Sequence, residues 1–123
     1  MAYQPDMDRT KAYQLLDKIS RDFESAGYRR QKPHRDQFEQ LESAILLIFG
    51  NPNDPMGFHT KHDPGEGGRI LRGLRHSFDE VSKAQKQLGE DALIWKKPHQ
   101  EKAENFARFS GDITAALQKM SMP

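Results

Sequence analysis

The chain of 123 residues has no cysteine, one tryptophan and one valine, and its longest apolar run, Ala44 to Phe49, is six residues. Without cysteine there is no disulfide framework, no thiolate zinc site and no cysteine nucleophile, a usage compatible with a reducing compartment. The apolar run falls far short of the roughly 20 residues a membrane-spanning helix needs. The opening residues MAYQPDMDRTKAYQLL also lack the basic segment followed by an apolar run that a secretory signal requires, so a cytoplasmic protein without membrane association is expected. No stretch alternates apolar and polar residues, which leaves no strand signal. Charge of one sign is missing too: 19 basic and 18 acidic side chains give a net +1, so no global field draws the protein onto nucleic acid and any anion preference must be local. Nucleophile elbows, phosphate-binding Gly-Lys-Ser/Thr loops, dinucleotide fingerprints and His-Glu-x-x-His are all absent, so no cofactor is expected and binding is favoured over catalysis.

What is present is helical periodicity. Ala12, Leu15, Leu16, Ile19, Phe23 and Ala26 recur at three- and four-residue steps, the spacing of one helical stripe. Phe38, Leu41, Ala44, Ile45 and Ile48 form a second stripe, Ile70, Leu71, Leu74, Phe78, Val81, Ala84 and Leu88 a third, and Ala103, Phe106, Phe109, Ile113, Leu117 and Met120 a fourth. The size of the chain is that of one domain with a self-sufficient core. The pattern predicts an antiparallel up-and-down four-helix bundle with helices at about 6–27, 33–49, 64–88 and 98–120. Pro33 and Pro98 suit first helical turns, and Asp63 followed by Pro64 and Glu66 reads as a capped start of helix three. Between helices two and three, residues 50–63 are rich in glycine and proline and are expected to form a long loop, with Asp91 to Trp95 a short apolar connector. Leu46 and Leu47 lie off the second stripe, so the loop or a second subunit is expected to cover them, making helix two a candidate homo-oligomer face.

Lys-Pro-His occurs twice, within Tyr28-Arg29-Arg30-Gln31-Lys32-Pro33-His34-Arg35 and within Trp95-Lys96-Lys97-Pro98-His99. An offset of 65 residues aligns both tripeptides and the flanking stripes, as a duplicated hairpin would, although any two amphipathic helices align once registered. In an up-and-down bundle both elbows lie at one end. Their pooled cations and aromatics, near two helix N-termini, form the leading candidate surface for a protein partner, an anionic ligand or nucleic acid. The competing reading is that basic residues end helices for dipole reasons, with Tyr28 and Trp95 plugging the core.

A second candidate anion site is the start of helix three, where Arg69, Arg72, Arg75 and His76 oppose the helix dipole. Arg69 and His76, separated by six residues, also resemble the Arg-x(4–6)-His motif of HEPN-type ribonucleases. That resemblance implies metal-independent RNA cleavage by these two residues across a dimer, although Ile70 stands where that family usually has a polar residue. His59 and His62, with Asp63 and Glu66 beside them, are weak candidates for metal ligation, since capping explains the two carboxylates.

Overall fold

The computed structural model describes residues 5–50 and 62–122, with side chains from Met7 onward. The expected loop at 50–63 falls mostly outside the described residues, as does His59. Four helices, α1 (Pro5–Ser25), α2 (His34–Phe49), α3 (Pro64–Asp91) and α4 (Lys96–Lys119), account for nearly all of the described chain, with a one-turn 3-10 helix at Tyr28–Arg30. Each helix packs against two others: α1 on α2 and α4, α3 on α2 and α4. This is the closed ring of an up-and-down bundle, and it buries the four apolar stripes against one another.

The core is aromatic toward the elbow end. Phe23 lies at its centre, its ring 5.6 Å from Phe78, 5.6 Å from Phe106, 5.1 Å from Phe109 and 6.2 Å from Phe38. Toward the other end smaller side chains take over, with Ala12, Leu16, Ala44, Ile48, Leu71, Leu74, Ala116 and Leu117 all buried. There α2 and α3 approach closely: a Cβ on Gly67 would lie 2.5 Å from Ile48 Cγ1 and 3.1 Å from the Ala44 carbonyl oxygen. Glycine is required at that crossing. Asp63 caps α3 as expected, accepting a 3.1 Å hydrogen bond from the Glu66 amide, with Pro64 in the first turn.

Several boundaries differ from the sequence expectation. Helix α1 stops at Ser25, leaving Ala26 exposed, and Gly27 turns the chain with a φ of 75°. Pro33 caps α2 instead of opening it, and α4 begins two residues before Pro98. Helix α3 passes through Gly89 to Asp91, because Gly89 is buried where α3 meets α4: a Cβ there would sit 3.3 Å from His99 Cβ and 3.6 Å from the Lys96 carbonyl oxygen. A residue read as a stop is a packing residue.

The most consequential difference is length. At about 1.5 Å per residue, the 28 residues of α3 span about 42 Å and the 24 of α4 about 36 Å, against about 24 Å for the 16 of α2. The α3–α4 hairpin therefore outruns the core at the elbow end. Phe78 is the last buried apolar side chain on α3 and Ala103 the first on α4. Ala84 and Leu88, assigned to the core by periodicity, are exposed, Leu88 by 49%. The third stripe continues past the point where α1 and α2 end.

At the apolar end of α2, the cover seen among the described residues comes from α1. Phe49 lies under the Arg9 guanidinium, 4.9 Å from its ring, and edge-on to Tyr13 at 5.3 Å. Arg9 also donates a 2.6 Å hydrogen bond to the Ile48 carbonyl. Leu47 is half-buried, while Leu46 is exposed on a groove of about 280 Å³ shared with Tyr13, Asp17, Ser20, Glu42 and Ile45.

Candidate binding surface

The first elbow folds inward. After Gly27, the 3-10 turn points Tyr28 into the aromatic cluster, 5.7 Å from Phe23 and 5.1 Å from Phe106, and its hydroxyl accepts a 3.1 Å hydrogen bond from Asn105 Nδ2. His34, in the first turn of α2, is also buried: its ring lies 5.0 Å from Phe106 and its Nδ1 is hydrogen-bonded to Gln37 Oε1 at 2.8 Å. Burial pushes the His34 imidazole below its ordinary pKa; the Gln37 bond opposes that, and nearby Lys102 adds to it. Lys102 lies over the Tyr28 and Phe106 rings at 5.5 and 5.9 Å and donates to Gln31 Oε1 at 3.3 Å, its pKa lowered by burial. Arg29 stacks on Phe38 at 4.6 Å and pairs with Glu24. Arg30, Lys32 and Arg35 are left on the surface.

The second elbow folds outward. Ala92 leaves α3 in an extended conformation, and Leu93, Ile94 and Trp95 follow with 101%, 70% and 69% of their surface exposed. Trp95 adopts a φ of 65°, a left-handed conformation that glycine takes freely and bulky residues rarely do. Lys96 and Lys97 then open α4 with no acidic residue in its first turn and no side-chain cap. His99 is half-buried, its Nδ1 bonded to Gln85 Oε1 at 2.7 Å, and it braces the hairpin from inside. Ser82 Oγ donates to the Ala103 carbonyl at 2.7 Å lower down.

The elbows share an end of the bundle but not a level. The first contacts α4 at Lys102, Asn105 and Phe106, and Trp95 lies seven residues before Lys102, about 10 Å farther along the axis. Tyr28 and His34 belong to the core, Trp95, Lys96 and Lys97 to the protruding tip. Sequence reading left Leu88, Leu93 and Ile94 out of the surface. The signal was present: an apolar Leu-Ile-Trp run in a connector has no helical stripe to join.

At the start of α3, Arg69 is held by Glu66, with Nε donating to Oε2 at 2.8 Å, and the pair raises the Arg69 pKa. Arg72 and Arg75 are half-buried, and the exposed His76 reaches Glu80 at 4.0 Å. Arg69 and His76 stand about 10 Å apart along one helix, both on its open side. His62 is exposed, and among the described residues no three His, Cys, Asp or Glu side chains group to hold a metal. No described helix is long and apolar enough to cross a membrane. On α4, Asp112 Oδ2 is buried without a hydrogen-bond partner, and burial raises its pKa against the opposing pull of Lys18 and Arg108.

The chain matches no protein-family model, no curated protein and no solved structure.

Proposed function

We propose that this bundle is a protein-binding module that docks through the tip of its α3–α4 hairpin. The observation that carries this reading is the contiguous exposure of Leu93, Ile94 and Trp95 on a hairpin that outruns the core. Apolar patches rimmed by charged residues mark interaction sites on soluble proteins, and tryptophan is prominent among residues that dominate binding energy. The left-handed Trp95 adds to the argument. A bulky residue held in a costly backbone conformation while projecting into solvent does nothing for the monomer's core. Lys96 and Lys97 keep the basic character expected of the binding surface, whereas Tyr28 and His34 act as structural residues of the first elbow.

Binding at the start of α3 is the weaker reading, since Arg69 already has a carboxylate partner in Glu66. A ribonuclease role for Arg69 and His76 has the same difficulty. The test is affinity capture from native lysate with the wild-type chain and with an Ile94→Glu/Trp95→Glu variant, checking by circular dichroism that both are folded. Capture of a defined protein by the wild type, lost at least tenfold in the variant, is the expected result. An identical retained set would overturn the reading.

A further inference from the structure

The hairpin tip carries charges of both signs, each in the electrostatically unfavourable place. Glu90 and Asp91 close α3, where the helix dipole is negative and no basic residue stands in the last turn. Lys96 and Lys97 open α4, where the dipole is positive and no acidic residue stands in the first turn. Nor do these charges neutralise each other: Lys97 approaches Glu101 at 3.9 Å, and Asp91 accepts from Gln87 at 3.1 Å. Between the two pairs lie the uncovered Leu93, Ile94 and Trp95, and Leu88 one turn below.

Resting on the reading of this tip as a docking surface, we propose that its partner is a second copy of the chain, paired tip to tip about a two-fold axis. A two-fold interface brings a patch against itself, so the patch must complement itself. This one does. Its apolar centre meets its twin, while the lysines at each α4 start face the partner's Glu90 and Asp91. Both dipole conflicts are relieved at once, because each helix end receives from the other copy the sign of charge it lacks. The continuation of the α3 stripe through Leu88 gains the apolar neighbour that α1 and α2 are too short to supply. An anionic lipid surface or nucleic acid fits less well, since Glu90 and Asp91 stand beside the lysines and would be repelled. The apolar centre consists of only four side chains on each copy, so the dimer is weak and concentration-dependent.

The full chain would be followed by sedimentation equilibrium from about 1 to 500 µM, the range in which a weak dimer of this size assembles. The expected mass rises from 14.2 kDa toward twice that value. Trp95 is the only tryptophan in the sequence, so its emission should shift to the blue over the same range. Two variants make the test specific: Lys96→Glu/Lys97→Glu and Glu90→Lys/Asp91→Lys. Each improves its own helix dipole, so each stays folded, and each should remain monomeric through like-charge repulsion. Mixed in equal amounts, the two should form a heterodimer, with one tip wholly acidic and the other wholly basic. A monomeric wild type at every concentration, variants that dimerise as the wild type does, or a mixture that fails to pair would each overturn the two-fold proposal. A monomeric wild type that still captures a different protein through Ile94 and Trp95 would overturn the pairing alone and leave the binding function standing.

Discussion

Two elbows with the same Lys-Pro-His core have opposite fates: Tyr28 and His34 of the first are 8% and 6% exposed, while Trp95 of the second is 69% exposed. The tripeptide does not decide this. Position relative to the end of the core does. The first elbow joins helices that end level with the Phe23, Phe38 and Phe106 cluster, so its ring has a hydrophobic wall to meet. The second joins two helices that have outrun their neighbours, and no wall remains. The 65-residue offset tells the same story. Phe38, Leu41, Ala44 and Ile48 on α2 match Ala103, Phe106, Phe109 and Ile113 on α4, all buried, but Ile19 and Phe23 of α1 align with the exposed Ala84 and Leu88 of α3.

The largest effect that separates the elbows is on stability. Tyr28→Ala removes a buried ring from the aromatic cluster and leaves Asn105 Nδ2 without its acceptor, a loss of about 3–5 kcal/mol. Trp95→Ala removes a side chain with little burial and should stay within about 0.5 kcal/mol of wild type at a dilution that leaves the tip unpaired. Urea unfolding of both at micromolar concentration decides the matter. Comparable losses would mean that Trp95 packs on the core after all and that the elbows are alike.

The helical stripes were legible because periodicity is local: Leu16, Ile19 and Phe23, or Phe106, Phe109 and Ile113, are buried as spacing implies. Relative helix ends are tertiary, which is why Leu88 reads as core and is exposed. The burial of His34 is also implied by the pattern. His34 precedes Phe38 by four residues and Leu41 by seven, and so shares their buried face. The charge conflict at the hairpin tip was equally readable, with acids at a helix C-terminus and lysines at the next N-terminus. What sequence could not supply was the extent of the overhang that leaves those charges and the Leu93–Trp95 run uncovered.

Two glycines sharpen the comparison at intermediate size. Gly89 locks the second hairpin, and Gly89→Leu must push against His99 and the Lys96 carbonyl, an overpacking cost of about 1–3 kcal/mol. Gly27 turns the first elbow with nothing within 4 Å of where a Cβ would stand, so Gly27→Ala meets no neighbour and costs only its φ of 75°, about 1–2 kcal/mol. The denaturation midpoints should fall in both. Only Gly89→Leu should also weaken association at the tip, because only it splays the hairpin that carries the patch. Loss of association in Gly27→Ala as well would make the first elbow part of the interface.

The smallest effect is a pH dependence confined to the first elbow. Because His34 is buried against Phe106 and Tyr28 with Lys102 nearby, its folded-state pKa lies below the 6.5 of the unfolded chain. At higher pH the imidazole is neutral in both states and folding is unaffected by it. As pH falls below about 6.5 the unfolded chain takes up a proton that the folded chain does not, so stability declines until the folded pKa is passed. Asp112, whose carboxyl pKa is raised by burial, acts in the opposite direction, but it is common to wild type and a His34 variant, so the difference between their curves reports the imidazole. His34→Gln keeps a polar side chain near Gln37 and removes the titration. Its unfolding free energy should be lower than wild type at neutral pH and should fall less steeply through the window, so that the two curves converge toward acid. Parallel curves would mean that the buried imidazole does not resist protonation, and that the first elbow opens to solvent more readily than its packing implies.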